Sequence, residues 1–410
     1  MAVENALELP TDMPSVESSE IVSEFLSVTL SSIPRSDQRR WGEQYARALL
    51  TVKGKKTMRA LAQQVGAGTE QSLYQFISKS PWDAAEVRHA LARQFYEAAP
   101  TRAWVVEPLV LTKVGDQSVG VERQFVPQIG RVVNCQQTMG VWLASDRASC
   151  PVDWRLALPE CWTEQPGMRK RASIPEHVGS CPPEQCATGS IGRMKNEWGL
   201  PVRPVVMDLR ESDPHPVCAD LTDLKTPFVV RVDPSASHTA LELRQVGPHA
   251  PARPGARSAE PAGLLTAVSR HRLPVEWVDH VTGTVRATTV GSVRVRLSGP
   301  SGRTELQDLV LLAAWADPGR RHPSEYWLSN LSQPRLGTVY RTAMLSRRVQ
   351  RDLAEVSDRV GLRDFEGRSF RGWHHHMTMV SLAHALTVLA ADRQAAPAPS
   401  DPRTAKVSAA

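Results

Sequence analysis

The 410-residue chain has no apolar run of roughly 18 residues, the minimum for a membrane-spanning helix. Its first residues lack a basic stretch leading into an apolar one. They are acidic and polar instead (Glu4, Glu8, Asp12, Glu17, Glu20), which argues against a secretory signal and for a cytoplasmic protein. Cysteine is sparse: six residues, Cys135, Cys150, Cys161, Cys181, Cys186 and Cys218, with no Cys-x-x-Cys pair. Cys181 and Cys186 bracket Pro-Pro-Glu-Gln, too wide for the usual zinc knuckle, and no second Cys/His pair follows. The six read as free thiols, with a metal site or a disulfide as the lesser alternative. Repeats at solenoid periods are missing, and no apolar heptads mark a dimerisation helix.

What is present is ordinary for a folded protein of two or three domains: 41% hydrophobic and 22% charged residues. The net charge of +6 permits a nucleic-acid partner without demanding one. Residues 1–19 are rich in Pro, Ser and Glu and read as a disordered tail, as do residues 393–410, rich in Ala, Pro and Ser.

Residues 20–100 read as helical. Trp41, Tyr45, Ala48 and Leu49 recur at helical spacing. Thr57–Thr69, with Gly66 and Gly68, followed by Ser72–Ile77, has the shape of a helix-turn-helix. Asp83 is placed to cap a helix through Phe95. Positive charge gathers here as Arg35, Arg39, Arg40, Arg47, Lys53, Lys55, Lys56 and Arg59 against Asp37 and Glu43. Phosphate binding requires such a concentration, although a solvated helical face has the same look.

From residue 103 the pattern turns to strands: Trp104–Val106, Val119–Val121, Gln136–Trp142, Arg203–Asp208 and Pro227–Asp233. Alternation over 275–315 suggests an antiparallel sheet, whereas 236–272 is rich in Pro, Gly and Arg and reads as an irregular, mobile insertion. Residues 338–389 return to a helical pattern.

Five strings carry a resemblance. They are Lys113–Val121, Gly130–Gln136, Pro151–Leu156 with Leu158-Pro-Glu160 behind it, Tyr326–Asn330, and Gly361–His376. In this order they resemble bacterial insertion-sequence transposases of the DDE type, over roughly residues 40–390. The resemblance implies an α/β (α+β mixed) fold. An RNase H-like core (101–235, completed by C-terminal helices over 331–392) follows an N-terminal helical DNA-binding region (20–100). A β-rich insertion (236–330) precedes the C-terminal helices. In such enzymes three carboxylates hold two Mg²⁺ or Mn²⁺ ions that drive phosphodiester cleavage and strand transfer.

The resemblance also locates the three acids. The first belongs to an Asp-Asp-Thr-Gly motif. Here the string is Glu107-Pro108-Leu109-Val110, so Glu107 is an altered first acid, expected to bind metal weakly if at all. Asp208 ends a strand where the second acid belongs and is retained. The third sits in Tyr-x2-Arg-x3-Glu-x6-Lys. With Gly361-Leu362 closing that helix, the four positions are Ala343, Ser346, Gln350 and Ser357. Gln350 has the shape of Glu without its charge.

The expectation is therefore a transposase-derived protein that binds double-stranded DNA at the nucleoid, as a homo-oligomer or beside an active relative, without efficient strand transfer. Its DNA contacts are expected from Arg39, Arg40, Lys53, Lys55, Lys56 and Arg59, and from Arg368 and Arg371. The alternative is an active transposase or nuclease in which Asp213 or Glu355 joins Glu107 and Asp208. His374, His375 and His376 are consecutive, so on a helix they point about 100° apart and cannot share one ion.

Overall fold

The computed structural model describes residues 16–126, 129–236, 239, 241–243, 261–269, 271–299, 305–331 and 335–395. Of the expected tails, 1–15 and 396–410 lie outside these residues, whereas 16–19 and 393–395 are helical; most of 236–272 also lies outside, and its described part holds a short strand and a helix rather than irregular chain.

Five helices open the described chain: α1 (Val16–Thr29), α2 (Ser36–Thr51), α3 (Met58–Val65), α4 (Glu70–Ser78) and α5 (Ala84–Ala98). Local chemistry sets their ends. Thr57 caps α3 by accepting from Ala60 N, and Asp83 caps α5 by accepting from Ala85 N. The α3–α4 turn runs through Gly66 and Gly68, both at positive φ, a conformation glycine adopts freely.

The sheet is built around β1 (Ala103–Thr112). Its first four residues are all buried, as expected of a strand covered on both faces. Around it lie β2 (Glu122–Val126), β3 (Arg131–Ala144) and β4 (Ser149–Ala157), then the helices α6 (Glu160–Glu164), α7 (Pro166–Ala172) and α8 (Pro183–Asn196). Next come β5 (Val205–Asp208), α9 (Pro214–Asp223) and β6 (Phe228–Val232). β3 runs antiparallel to β1, while β1, β5 and β6 are parallel neighbours. β2 and β4 share the outer edge of β3. The order β2-β3-β1-β5-β6, flanked by helices, is the mixed RNase H-like arrangement that the resemblance implies.

The later strands extend this sheet. They are β7 (Leu241–Leu243), β8 (Leu273–Asp279), β9 (Thr284–Leu297), β10 (Leu306–Trp315) and β11 (Glu325–Ser329), with α10 (Pro261–Val268) between β7 and β8. β11 pairs antiparallel with β6, so the β-rich segment continues the core sheet from its far edge. Asn330 secures this junction, accepting from Phe228 N at 2.9 Å and donating to Thr226 O at 3.2 Å.

Three helices close the fold: α11 (Leu336–Ala343), α12 (Leu345–Asp352), which runs on into a π-helical turn over Leu353–Ser357, and α13 (Phe370–Ala395). α13 packs on β4 and on α2, α4 and α5, so the N-terminal helices share one core with the sheet. A buried ion pair ties these layers together. Arg88 of α5 reaches Asp153 of β4 at 3.0 Å, and also donates to Trp154 O, Thr378 Oγ1 and His374 O.

Two further expectations are corrected. Cys181 and Cys186 form a disulfide, whereas Cys135, Cys150, Cys161 and Cys218 are free. The chain between the pair turns into α8 and brings their Cα atoms to 6.1 Å, within the range a disulfide spans. Val119–Val121 is a turn rather than a strand, with Gly120 at φ +74°.

Candidate active site

Glu107 and Asp208 come together through strand register. β1 and β5 pair Trp104 with Val205 and Val105 with Val206, and the same step carried two residues on brings Glu107 level with Asp208. On its other side Glu107 faces Gly140 of β3. A Cβ at Gly140 would lie 2.8 Å from Trp154 and 2.9 Å from Trp142, so the packing of two tryptophans requires glycine there.

Gln350 arrives from α12, which lies against β1, β3 and β5. Its Nε2 is 3.5 Å from Glu107 Oε1. The helix is pinned by its arginines. Arg347 makes paired bonds of 2.9 and 3.0 Å to Asp279, which is fully buried at the end of β8. Arg348 pairs with Asp352, and Arg351 donates to His280 O. The end of the β8–β9 hairpin thus fixes the helix that presents Gln350.

The two acids differ in their partners. Burial pushes the Glu107 carboxyl up to about 8, with the Asp208 charge acting in the same direction and the Gln350 hydrogen bond against it. Asp208 is half-exposed and held by guanidinium groups. Arg210 Nε lies 3.0 and 3.1 Å from its two oxygens, and Arg210 Nη2 is 2.7 Å from Oδ2. Arg210 N also donates to Oδ1 at 3.1 Å. Arg231, the cross-strand neighbour of Asp208 on β6, stands 3.7 Å away and bonds Glu325 at 3.1 Å.

The alternative acids are engaged elsewhere. Asp213 caps α9 by accepting from His215 N, and Glu355 pairs with Arg351 at 2.9 Å. Among the described residues, no group of three or more His, Cys, Asp or Glu side chains is arranged to hold a metal ion.

A family model described as DDE superfamily endonuclease matches residues 29–299. The chain belongs to that family. The matched span includes Glu107 and Asp208 and stops short of α12. No curated protein matches the chain.

Enzymes of the DDE superfamily use divalent metals, and the residues here fit a two-metal site poorly. Mg²⁺ takes anionic oxygens at about 2.0–2.1 Å. Gln350 offers only an amide. Glu107 reaches one methylene further than the Asp it replaces, and both oxygens of Asp208 already face Arg210. Arg210 and Arg231 were not singled out from sequence. The signal for Arg210 is its place two residues after the strand-ending acid; Arg231 emerges only once β5 and β6 are paired in register.

The basic residues expected to contact DNA divide by environment. Arg40, Lys53, Lys55 and Arg59 are exposed, and Arg40 lies over the Trp41 ring. Arg39 is partly exposed and donates to Ile33 O and Pro34 O. Lys56 is buried: its ammonium bonds Val52 O and its backbone N–H bonds Asp364. Lys56 is therefore turned away from any phosphate. Arg368 and Arg371 are exposed. Lys55 pairs with Glu366, and Arg371 donates to Lys79 O at the end of α4. These contacts bring the second basic segment beside the first.

The three histidines at the start of α13 diverge. His375 stacks on Trp82 with ring centroids 3.6 Å apart, its two nitrogens facing Ile77 O and Trp82 O. His376 bridges Tyr45 OH and Gly361 O. His374 packs on Phe370 and Trp373 beside Arg88. All three hold α13 to the N-terminal helices.

Proposed function

We propose that this chain is a transposase-derived protein that binds double-stranded DNA and does not cleave it efficiently. It would act as a regulator, or would occupy the DNA ends that an active relative uses. One observation carries the reading: the side chain facing Glu107 from α12 is the amide of Gln350. A neutral ligand at that point removes the charge that a two-metal site needs to hold its ions and to stabilise the transition state. Belonging to an endonuclease family, with Glu107 and Asp208 still side by side, supports descent from a cutting enzyme.

The DNA contacts belong to Arg39, Arg40, Lys53, Lys55 and Arg59, with Arg368 and Arg371 alongside. An active nuclease with an altered acid set would need Asp213 or Glu355, and each already serves a local structural bond. Footprinting on fragmented genomic DNA in the presence of a chelator tests the proposal. A protected duplex is expected without metal, with affinity falling steeply as salt rises, by a log–log slope of about −0.9 per phosphate contacted. Uniform protection with no preferred site would sink it.

A further inference from the structure

Arg210 is the residue of this site whose role the loss of an acid does not explain. Asp208 is the last residue of β5, and Arg210 follows it in the turn that leaves the strand, where the chain folds its guanidinium back onto the carboxylate. The outcome is a fork-like contact: Arg210 Nε and Nη2 cover both oxygens of Asp208, while Arg210 N caps Oδ1. Arg231 adds a second guanidinium 3.7 Å from Asp208, itself oriented by Glu325 at 3.1 Å. A divalent ion on Asp208 would have to displace the first guanidinium and sit within a few ångströms of both, where like charges repel strongly.

We infer that Arg210, backed by Arg231, is a built-in counter-cation that takes the place of metal at Asp208 and closes the site to divalent ions. The inference rests on the reading of Gln350 as a neutralised third acid. It goes further, because restoring that acid alone would leave the site shut.

The test is Mn²⁺ binding, followed by electron paramagnetic resonance and calorimetry on the full-length chain, with melting curves to check folding. Wild type and Gln350→Glu should show no saturable Mn²⁺. Arg210→Ala/Gln350→Glu should bind Mn²⁺ saturably, at least about tenfold more tightly than the weakest affinity the assay could have detected for Gln350→Glu, and this binding should vanish when Asp208→Ala is added. If Arg210→Ala melts early, Arg210→Gln, which keeps most of the side chain without its charge, serves in its place. Equal binding by the single and double variants overturns the inference, as does a folded double variant that binds nothing. Saturable Mn²⁺ on wild type without DNA cutting also overturns it and leaves the proposed function standing; DNA cutting would bring down the proposed function itself.

Discussion

Gln350 Nε2 faces Glu107 Oε1 across 3.5 Å, joining the helix before the last turn of the core to its central strand. At that length the bond is weak, so the amide's importance lies in the charge it lacks. Gln350→Glu would set two carboxyls face to face. At pH 6 they can share a proton; at pH 9 both are pressed to ionise, and like charges at this distance cost on the order of 1 kcal/mol or more. The melting temperature of Gln350→Glu should match wild type closely at pH 6 and fall below it at pH 9. An equal gap at both pH values would mean that the side chains do not meet.

The Arg88–Asp153 pair is almost entirely buried, with 4% and 1% of the side chains exposed. Removing Arg88 leaves the buried Asp153 carboxylate without its one close hydrogen-bonding cation, with only Arg155 and Arg193 at 3.7 Å to offset its charge. Arg88→Leu should therefore cost about 3–5 kcal/mol in urea denaturation. A loss below about 1 kcal/mol would place the pair in a far more solvated setting than the fold gives it.

Acid should loosen the packing of α13 against the N-terminal helices, through His374, His375 and His376, and against β4, through His384 and Ser149 O. Burial depresses His375, His376 and His384 to about 4 from an ordinary 6.5, and pushes His374 well below 6.5. For His375 the carbonyls of Ile77 and Trp82 pull the other way without prevailing. Because these folded-state values are lowered, their contribution to stability is whole above pH 6.5 and is lost as pH falls from 6.5 towards 4. The loss is on the order of 3 kcal/mol for each of the three. A pH series of chemical melts should show this decline, and His375→Asn should flatten part of it. A stability curve level from pH 7 to pH 4 would contradict the burial of these rings.

How much of this was legible in the sequence depended on whether the signal was local. The Asp83 cap, the Gly66–Gly68 turn and the apolar strands ending at Asp208 and near Asp233 follow from residues that touch their own neighbours. Gln350 could be placed because Gly361-Leu362 supplied a fixed point down the chain, and α12 brings it to Glu107. The helices α7 and α8 carry no clear local signal: Pro166 and Pro183 sit in their first turns, where proline marks a helix start as readily as a loop. Lys56 looked like its basic neighbours, because nothing near it in sequence announces Val52 O and Asp364 as its partners. The Arg210–Arg231 pair around Asp208 needed the β5–β6 register, a relationship between segments that no local pattern encodes.

The basic residues separate by burial, which predicts different responses to salt. Lys55→Ala and Arg59→Ala should each weaken DNA binding across sequences and lower the log–log salt slope by about one. Lys56→Ala should leave that slope unchanged, since its ammonium is spent on Val52 O. Fluorescence anisotropy over a salt series reads all three. A slope that drops for Lys56 and holds for Lys55 and Arg59 would move the DNA contact elsewhere.

The most direct test of the central claim is a strand-cleavage assay on supercoiled and linear genomic fragments with Mg²⁺ or Mn²⁺, read by mapping new DNA ends. The account predicts retained fragments without new ends for wild type in either metal. Metal-dependent cuts that disappear in Asp208→Ala would contradict it, and would mean that a third acid reaches Glu107 and Asp208 despite Gln350.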